Sequence, residues 1–395
     1  GTEYQRAAGV TQDTPDIVYE DTMKGGRNLN DPALVKILST KSYESLKWIE
    51  SIGGKLPNLS FSGGQTYKRV HTAEGGTLVG AYLVTTFHEN AKRLGMDIRV
   101  NSKAVKLLTD KKGKITGVRV HSLYSGTYDI NAKAVVLATG GFGANNALVA
   151  QYRPELYGTT TSNQPGALGD GLILASKIGA DFTDINEIQI HPTVALNTKI
   201  LISESVRGKG AIMINKEGNR FVNEMLTRDK TSAAVLAQPG KTAYVVFDED
   251  IYKGWGQIEG YFKLGLVKEG KDAADLAKVL GIPADNFVNS MNRFNNAIKT
   301  KNDEDFGRKD LELTLDHGKL YAIEIAPGIH HTMGGVKINT KTQVISTKGK
   351  AIPGLYAAGE VTGGVHGGNR LGGNAIADIV TFGRIAGQEA AKYAK

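Results

Sequence analysis

The spacing of apolar residues predicts a chain of alternating helices and strands. Asp31-Pro32 reads as an N-cap followed by proline in the first helical position, and Leu34, Ile37, Leu38, Leu46 and Ile49 then recur at helical spacing up to Gly53-Gly54. A second amphipathic helix is predicted from Ala81 to Leu94. Asp97–Val100 and Ala104–Leu108 read as strands, and Lys111-Lys112-Gly113-Lys114 as the turn into a strand over Ile115–Val120. The short apolar run Ala134–Ala138 predicts a parallel strand buried on both faces, with Thr139, Gly140 and Gly141 bringing backbone against a ligand at its carboxyl end. Gly354–Glu360 repeats that pattern and delivers Glu360 to a crevice, and a last helix runs from Asn374 to Tyr393.

Between Ile185 and His317 the pattern turns to mixed polar segments, with helices over Ala273–Leu280 and Asn286–Lys299. This block, 185–317, is the expected second domain, inserted between 1–184 and 318–395. Asn302–Lys309 is rich in charge and reads as a solvated connector.

Composition narrows the chemistry. A chain of 395 residues with 41% hydrophobic and 22% charged residues can bury a large core, and no apolar run is long enough for a membrane span. Zero cysteine excludes disulfides, thiolate metal sites and covalent haem attachment, so any redox chemistry needs a bound cofactor. The formal charge of +8 is spread among acidic residues, which suits drawing small anions into a cleft better than binding nucleic acid. The 49 glycines crowd toward the C-terminal end, in His330-His331-Thr332-Met333-Gly334-Gly335, Gly354–Glu360 and Asn369-Arg370-Leu371-Gly372-Gly373-Asn374-Ala375. Such density lets backbone approach a large planar cofactor while His, Arg and Glu fix its orientation.

An anionic ligand needs cationic and hydrogen-bonding groups around it. Arg370 offers a bidentate fork, and His191, His330 and the hydroxyl of Ser203 add donors. An Arg–Glu–Arg set over Glu204, Arg207 and Arg228 is also what a purely structural ion-pair network looks like. His71, His88, His121 and His317 read as ordinary core or surface histidines, and His366 as a neighbour of the site.

Ile190-His191-Pro192-Thr193, Glu204-Ser205-Val206-Arg207-Gly208, Arg220–Glu224, Thr227-Arg228-Asp229 and the His330-His331 and Asn369-Arg370 motifs together resemble the soluble fumarate reductases of the flavocytochrome c type, within the fumarate reductase and succinate dehydrogenase flavoprotein family. The resemblance extends over nearly the whole chain. It implies an α/β fold, an FAD-binding Rossmann-like domain with an inserted α+β clamp domain, and reduction of fumarate to succinate by hydride from FAD N5. By the same resemblance Arg228 is the proton donor, supplied through Glu204 and Arg207, and His191, Ser203, Glu204, His330, Arg370 and Gly373 bind the substrate. Non-covalent FAD falls to Ala104, Thr139, Gly140, Gly141, Asp170, His331, Glu360, Ala375 and Ile376. Some members hold a sodium ion, here at Thr332, Met333, Gly334, Glu360 and Thr362. An electron-donating cytochrome domain or protein is the implied partner, and the periplasm the implied location.

The sequence also departs from the family. The opening strand, Gly-x-Gly-x-x-Gly turn and acidic residue are not found in these residues, so the diphosphate finds its helix N-terminus elsewhere, or this polypeptide binds FAD poorly or not at all. No haem motif is present. Ser203 stands where threonine is usual and Leu201 where methionine is common, which leaves open another 2-enoate such as urocanate or methacrylate, or a flavin-free fragment that keeps dicarboxylate affinity.

Overall fold

A computed structural model describes residues 1–75 and 77–395. The expected helices form where their caps stand. Asp31 accepts from the Ala33 and Leu34 amides at the start of Pro32–Ser51, whose Leu34, Leu38, Leu46 and Ile49 are buried. Val79–Arg93, Ala273–Leu280, Ala284–Thr300 and Asn374–Ala394 likewise fall on the predicted segments.

Among the described residues two large hydrophobic cores carry the chain, with a smaller third cluster of Leu46, Ile49, Leu56, Ala73, Leu83 and Val380. The middle one draws on residues from Ala195 to Ile325, and the other on Leu34 to Ile188 and Ile329 to Ala386. In the middle core an antiparallel sheet has the order Val267–Gly270, Leu320–Thr332, Ala243–Asp248, Ile212–Ile214, with Ile188–Ala195 paired to the long strand Leu320–Thr332. That pair of strands runs from one core into the other. Its register shifts between Ala326 and Gly328, near two prolines (Pro192 and Pro327) that have no N–H to give the ladder, and again between Ile329 and His331.

Three expectations need correction. Asp97–Val100 is not a strand: it is an exposed segment in which Arg99 pairs with Asp97 two residues away. Val135–Leu137 is a parallel strand, paired with Leu355–Ala357, but it is not buried on both faces. Among the described residues it has a partner on one edge only, and Val136, Ala138 and Thr139 are exposed. The connector Asn302–Lys309 is irregular as expected, yet Asp303 and Arg308 are buried. They belong to a network in which Arg220 pairs with Glu224 and Asp303, and Arg308 with Glu224 and Asp310. Mutual neutralisation is what lets these charges leave water.

Candidate active site

The short helix Glu204–Gly208, capped by Ser203, and the start of the helix Arg228–Leu236 bring the Arg–Glu–Arg set together between the cores. Glu204 Oε2 accepts from Arg228 Nε at 2.8 Å and lies 2.7 Å from Nη2, while its Oε1 accepts from the Gly63 amide at 2.8 Å. Burial opposes ionisation of Glu204, but the charges of Arg228 and Arg207 and the bonds from Gly63 and Arg228 outweigh it and hold the carboxyl down to about 2. It is therefore an anion at neutral pH. Arg207 is fully buried, donates Nη1 to the Glu224 carbonyl at 2.5 Å, and leaves Nε and Nη2 without protein partners.

His191 and His330 meet edge to face, with ring centroids 5.0 Å apart. The register shift explains this: Ile329 faces Ile190 and His331 faces Gln189, so His330 is the extra residue of a bulge and is aimed beside His191. The Thr193 amide donates to His191 Nδ1 at 3.2 Å, which assigns the ring proton to Nε2, a buried atom with no protein partner. Burial first, and then the nearby arginines, push His191 and His330 well below the usual histidine range. Both are neutral donors at pH 7. Arg370, also buried, is pulled down to about 9 by burial and by the charge of Arg228, and remains a cation at pH 7. Ser203 Oγ accepts from the Ser205 amide and keeps its own proton to donate.

Gln189 was not legible as a site residue. It accepts from Arg228 Nη1 at 3.1 Å and donates to Asn369 Oδ1 at 2.8 Å and to the Arg370 carbonyl at 2.7 Å, tying the two arginine segments together. Nothing in its type or spacing announces that bridge.

The residues expected to face a flavin form a second group. Glu360 Oε1 accepts from the Thr332 amide at 3.0 Å, and its Oε2 lies 3.5 Å from His331 Nδ1. Burial raises the Glu360 carboxyl against those bonds, and lowers His331 well below its usual range. A Cβ on Gly141 would stand 2.1 Å from Thr332 Oγ1 and 2.5 Å from Glu360 Oε1, so only glycine lets this strand end close on the pair. His331 Nε2 is buried without a partner. This end fits a flavin ring: a glycine cradle, an orphaned imidazole nitrogen, and the Gly373-led start of the helix Asn374–Ala394 that carries Ala375 and Ile376. The Ile376 amide donates to Gly373 O. Ala104 lies on the strand Ser102–Thr109, next to Lys103, which pairs with half-exposed Asp170 at 3.0 Å, and a Cβ on the following Gly171 would stand 2.1 Å from Thr139 Oγ1. Of the residues expected around sodium, Thr332, Met333 and Gly334 are consecutive and buried, and Thr362 bridges to Val336.

His366 bonds buried Asp378 at 3.0 Å and stacks edge to face on His331. A cavity of about 960 Å³ opens over His191, Ser203, Glu204, Arg228, Gly372 and Gly373. Among the described residues no helix is long and apolar enough to cross a membrane.

The FAD binding domain family matches residues 4–376. The chain is 48% identical over 394 residues to a fumarate reductase (cytochrome) of Shewanella frigidimarina, covering 100% of this chain and 69% of that protein. It is 34% identical over 405 residues to a urocanate reductase of Eggerthella lenta, covering 99% of this chain and 66% of that one. Among solved structures, the open conformation of a flavocytochrome c3 fumarate reductase matches with TM-score 0.79 and 47% identity, over 100% of this chain and 70% of its own.

Proposed function

The chain belongs to the FAD binding domain family, and from that premise we propose that it reduces fumarate to succinate with a proton from Arg228. The observation that carries this reading is a cavity lined by the Arg228–Glu204 pair, Ser203 and neutral His191, with His330 edge to face on His191 and Arg207 and Arg370 close enough to depress it. Such a cavity suits a small dianion with a proton acceptor between its carboxylates.

When bound, reduced FAD supplies the hydride for one alkene carbon; His331, Glu360, Ala375, Ile376, Thr139–Gly141, Asp170 and Ala104 are the residues that would hold it. Arg370, His191, His330 and Ser203, with Gly373 beside them, hold the carboxylates and fix the alkene in place. Positive charge and N–H donors at one carboxylate stabilise the negative charge that builds on the carbon beside it. Arg228 gives that carbon its proton. A guanidinium is a poor acid, so its neighbours matter: the cation Arg207 disfavours accumulated positive charge, and once Arg228 has given up its proton the Glu204 carboxylate takes up one from solvent by way of Arg207 and passes it to Arg228, so that both groups return to their starting charge.

Support for non-covalent FAD at the flavin-ring end is the glycine and imidazole cradle. Two electrons per turnover come from a cytochrome domain or protein outside these residues, in keeping with the flavocytochrome relatives. We further assign sodium to Thr332, Met333, Gly334, Glu360 and Thr362, the clamp to 185–317, and the periplasm as the location, all on family likeness. The testing experiment is oxidation of reduced viologen by fumarate, urocanate and methacrylate in turn. Preference for fumarate upholds the proposal; preference for either of the others assigns the cavity to that enoate, as the urocanate reductase relative and Leu201 would then explain.

A further inference from the structure

Some side-chain atoms that are buried without a partner belong to the site above, such as His191 Nε2, Arg370 Nε and His331 Nε2. One that does not is the hydroxyl of Ser62. Ser62 is 3% exposed, lines the same cavity as His191, Glu204 and Arg228, and its Oγ has no hydrogen-bond partner. A hydroxyl removed from water without a partner is costly, so its retention beside a polar cavity needs a reason.

Its position is tightly specified. Ser62 Oγ lies 2.0 Å, and Glu204 Oε2 2.9 Å, from the point where a Cβ on Gly372 would stand, so both oxygens flank one spot next to Gly373. The loop that carries it is held in place. The Gly63 amide is held by Glu204 Oε1 at 2.8 Å, Ser60 Oγ meets Ser205 Oγ at 3.3 Å, and Gln65 Nε2 donates to the Gly372 carbonyl at 2.9 Å. Glu204 Oε2 is already engaged by two nitrogens of Arg228.

We propose that Ser62 is a further substrate-binding residue, whose hydroxyl donates to a carboxylate of the bound dicarboxylate and helps set specificity. This rests on the dicarboxylate reading of the cavity. Because the donor lies on the loop near Glu204 and not on the strand that carries His330, the carboxylate is held from two directions.

The test is calorimetric titration of succinate into the full chain, unmodified and as Ser62→Ala and Ser62→Thr, with melting temperatures to verify folding. Loss of one hydrogen bond to a charged group is expected to weaken succinate about tenfold in Ser62→Ala. Ser62→Thr, which keeps the hydroxyl, should restore affinity to within about twofold on the same scale. The turnover number at saturating fumarate should stay near the parent value while KM rises. If Ser62→Ala binds succinate as the parent does, the Ser62 assignment is wrong and the dicarboxylate reading stands. If the unmodified chain takes up no succinate, both fall.

Discussion

Arg228 and Glu204 face each other through two nitrogens and one carboxylate oxygen, at 2.8 Å from Nε and 2.7 Å from Nη2, with both side chains almost wholly buried. Such a fork is short, charge-assisted and oriented, and it points Nη1 toward Gln189. The pair holds the proposed acid in one geometry while leaving the carboxylate an anion.

Arg228→Lys should lose at least about a hundredfold in turnover, since a lysine cannot reproduce the fork and general acid catalysis is typically worth that much or more. Succinate affinity should change far less, because Arg370 and the two histidines remain. Steady-state kinetics with succinate calorimetry separates the two effects; equal losses in both would make Arg228 a binding group only.

Stability should fall as pH drops below about 6.5. His191, His330 and His331 all have folded values depressed below the ordinary histidine value of 6.5, so the unfolded chain takes up protons that the folded chain refuses. Stability is therefore complete above that value and is lost as pH falls, by up to about 1.4 kcal/mol per pH unit for each histidine. Glu204, depressed from 4.5 to about 2, adds a further loss between those values. Chemical denaturation at stepwise pH measures the slope, and His331→Asn should flatten it.

Gly141→Ala should abolish flavin retention while leaving the fold largely intact. The new methyl would meet Thr332 Oγ1 and Glu360 Oε1 at 2.1 and 2.5 Å, forcing the pair that borders the flavin end apart. Flavin absorbance after gel filtration, with far-ultraviolet circular dichroism as the folding control, reads this directly.

Arg308→Ala should destabilise by about 3–5 kcal/mol, because it strips a fully buried cation from Glu224 and Asp310. Arg308 also donates to the Arg207 and Ala211 carbonyls. A urea denaturation midpoint unchanged from the parent would show that the network is not structural.

Helices were legible because their signals are local: Asp31-Pro32 starts one and apolar spacing runs through it. The strand expected at Asp97–Val100 failed because alternation in four residues says nothing about a partner, and none pairs there. His330-His331 was legible as a motif, but the bulge that sets His330 beside His191 depends on pairing with a strand more than a hundred residues earlier. Gln189 carries neither charge nor motif, and within Asn302–Lys309 the sequence cannot say which charges turn inward to meet Arg220 and Glu224. Long-range pairing is what local patterns omit.

The most direct measurement is anaerobic mixing of the flavin-loaded, chemically reduced protein with fumarate, following flavin absorbance and succinate formed. Reoxidation with one succinate per flavin, abolished by Arg228→Ala while succinate still binds, is the predicted result. Reduced flavin that persists in fumarate, or an Arg228→Ala protein that reoxidises at the parent rate, would contradict fumarate reduction with Arg228 as its acid.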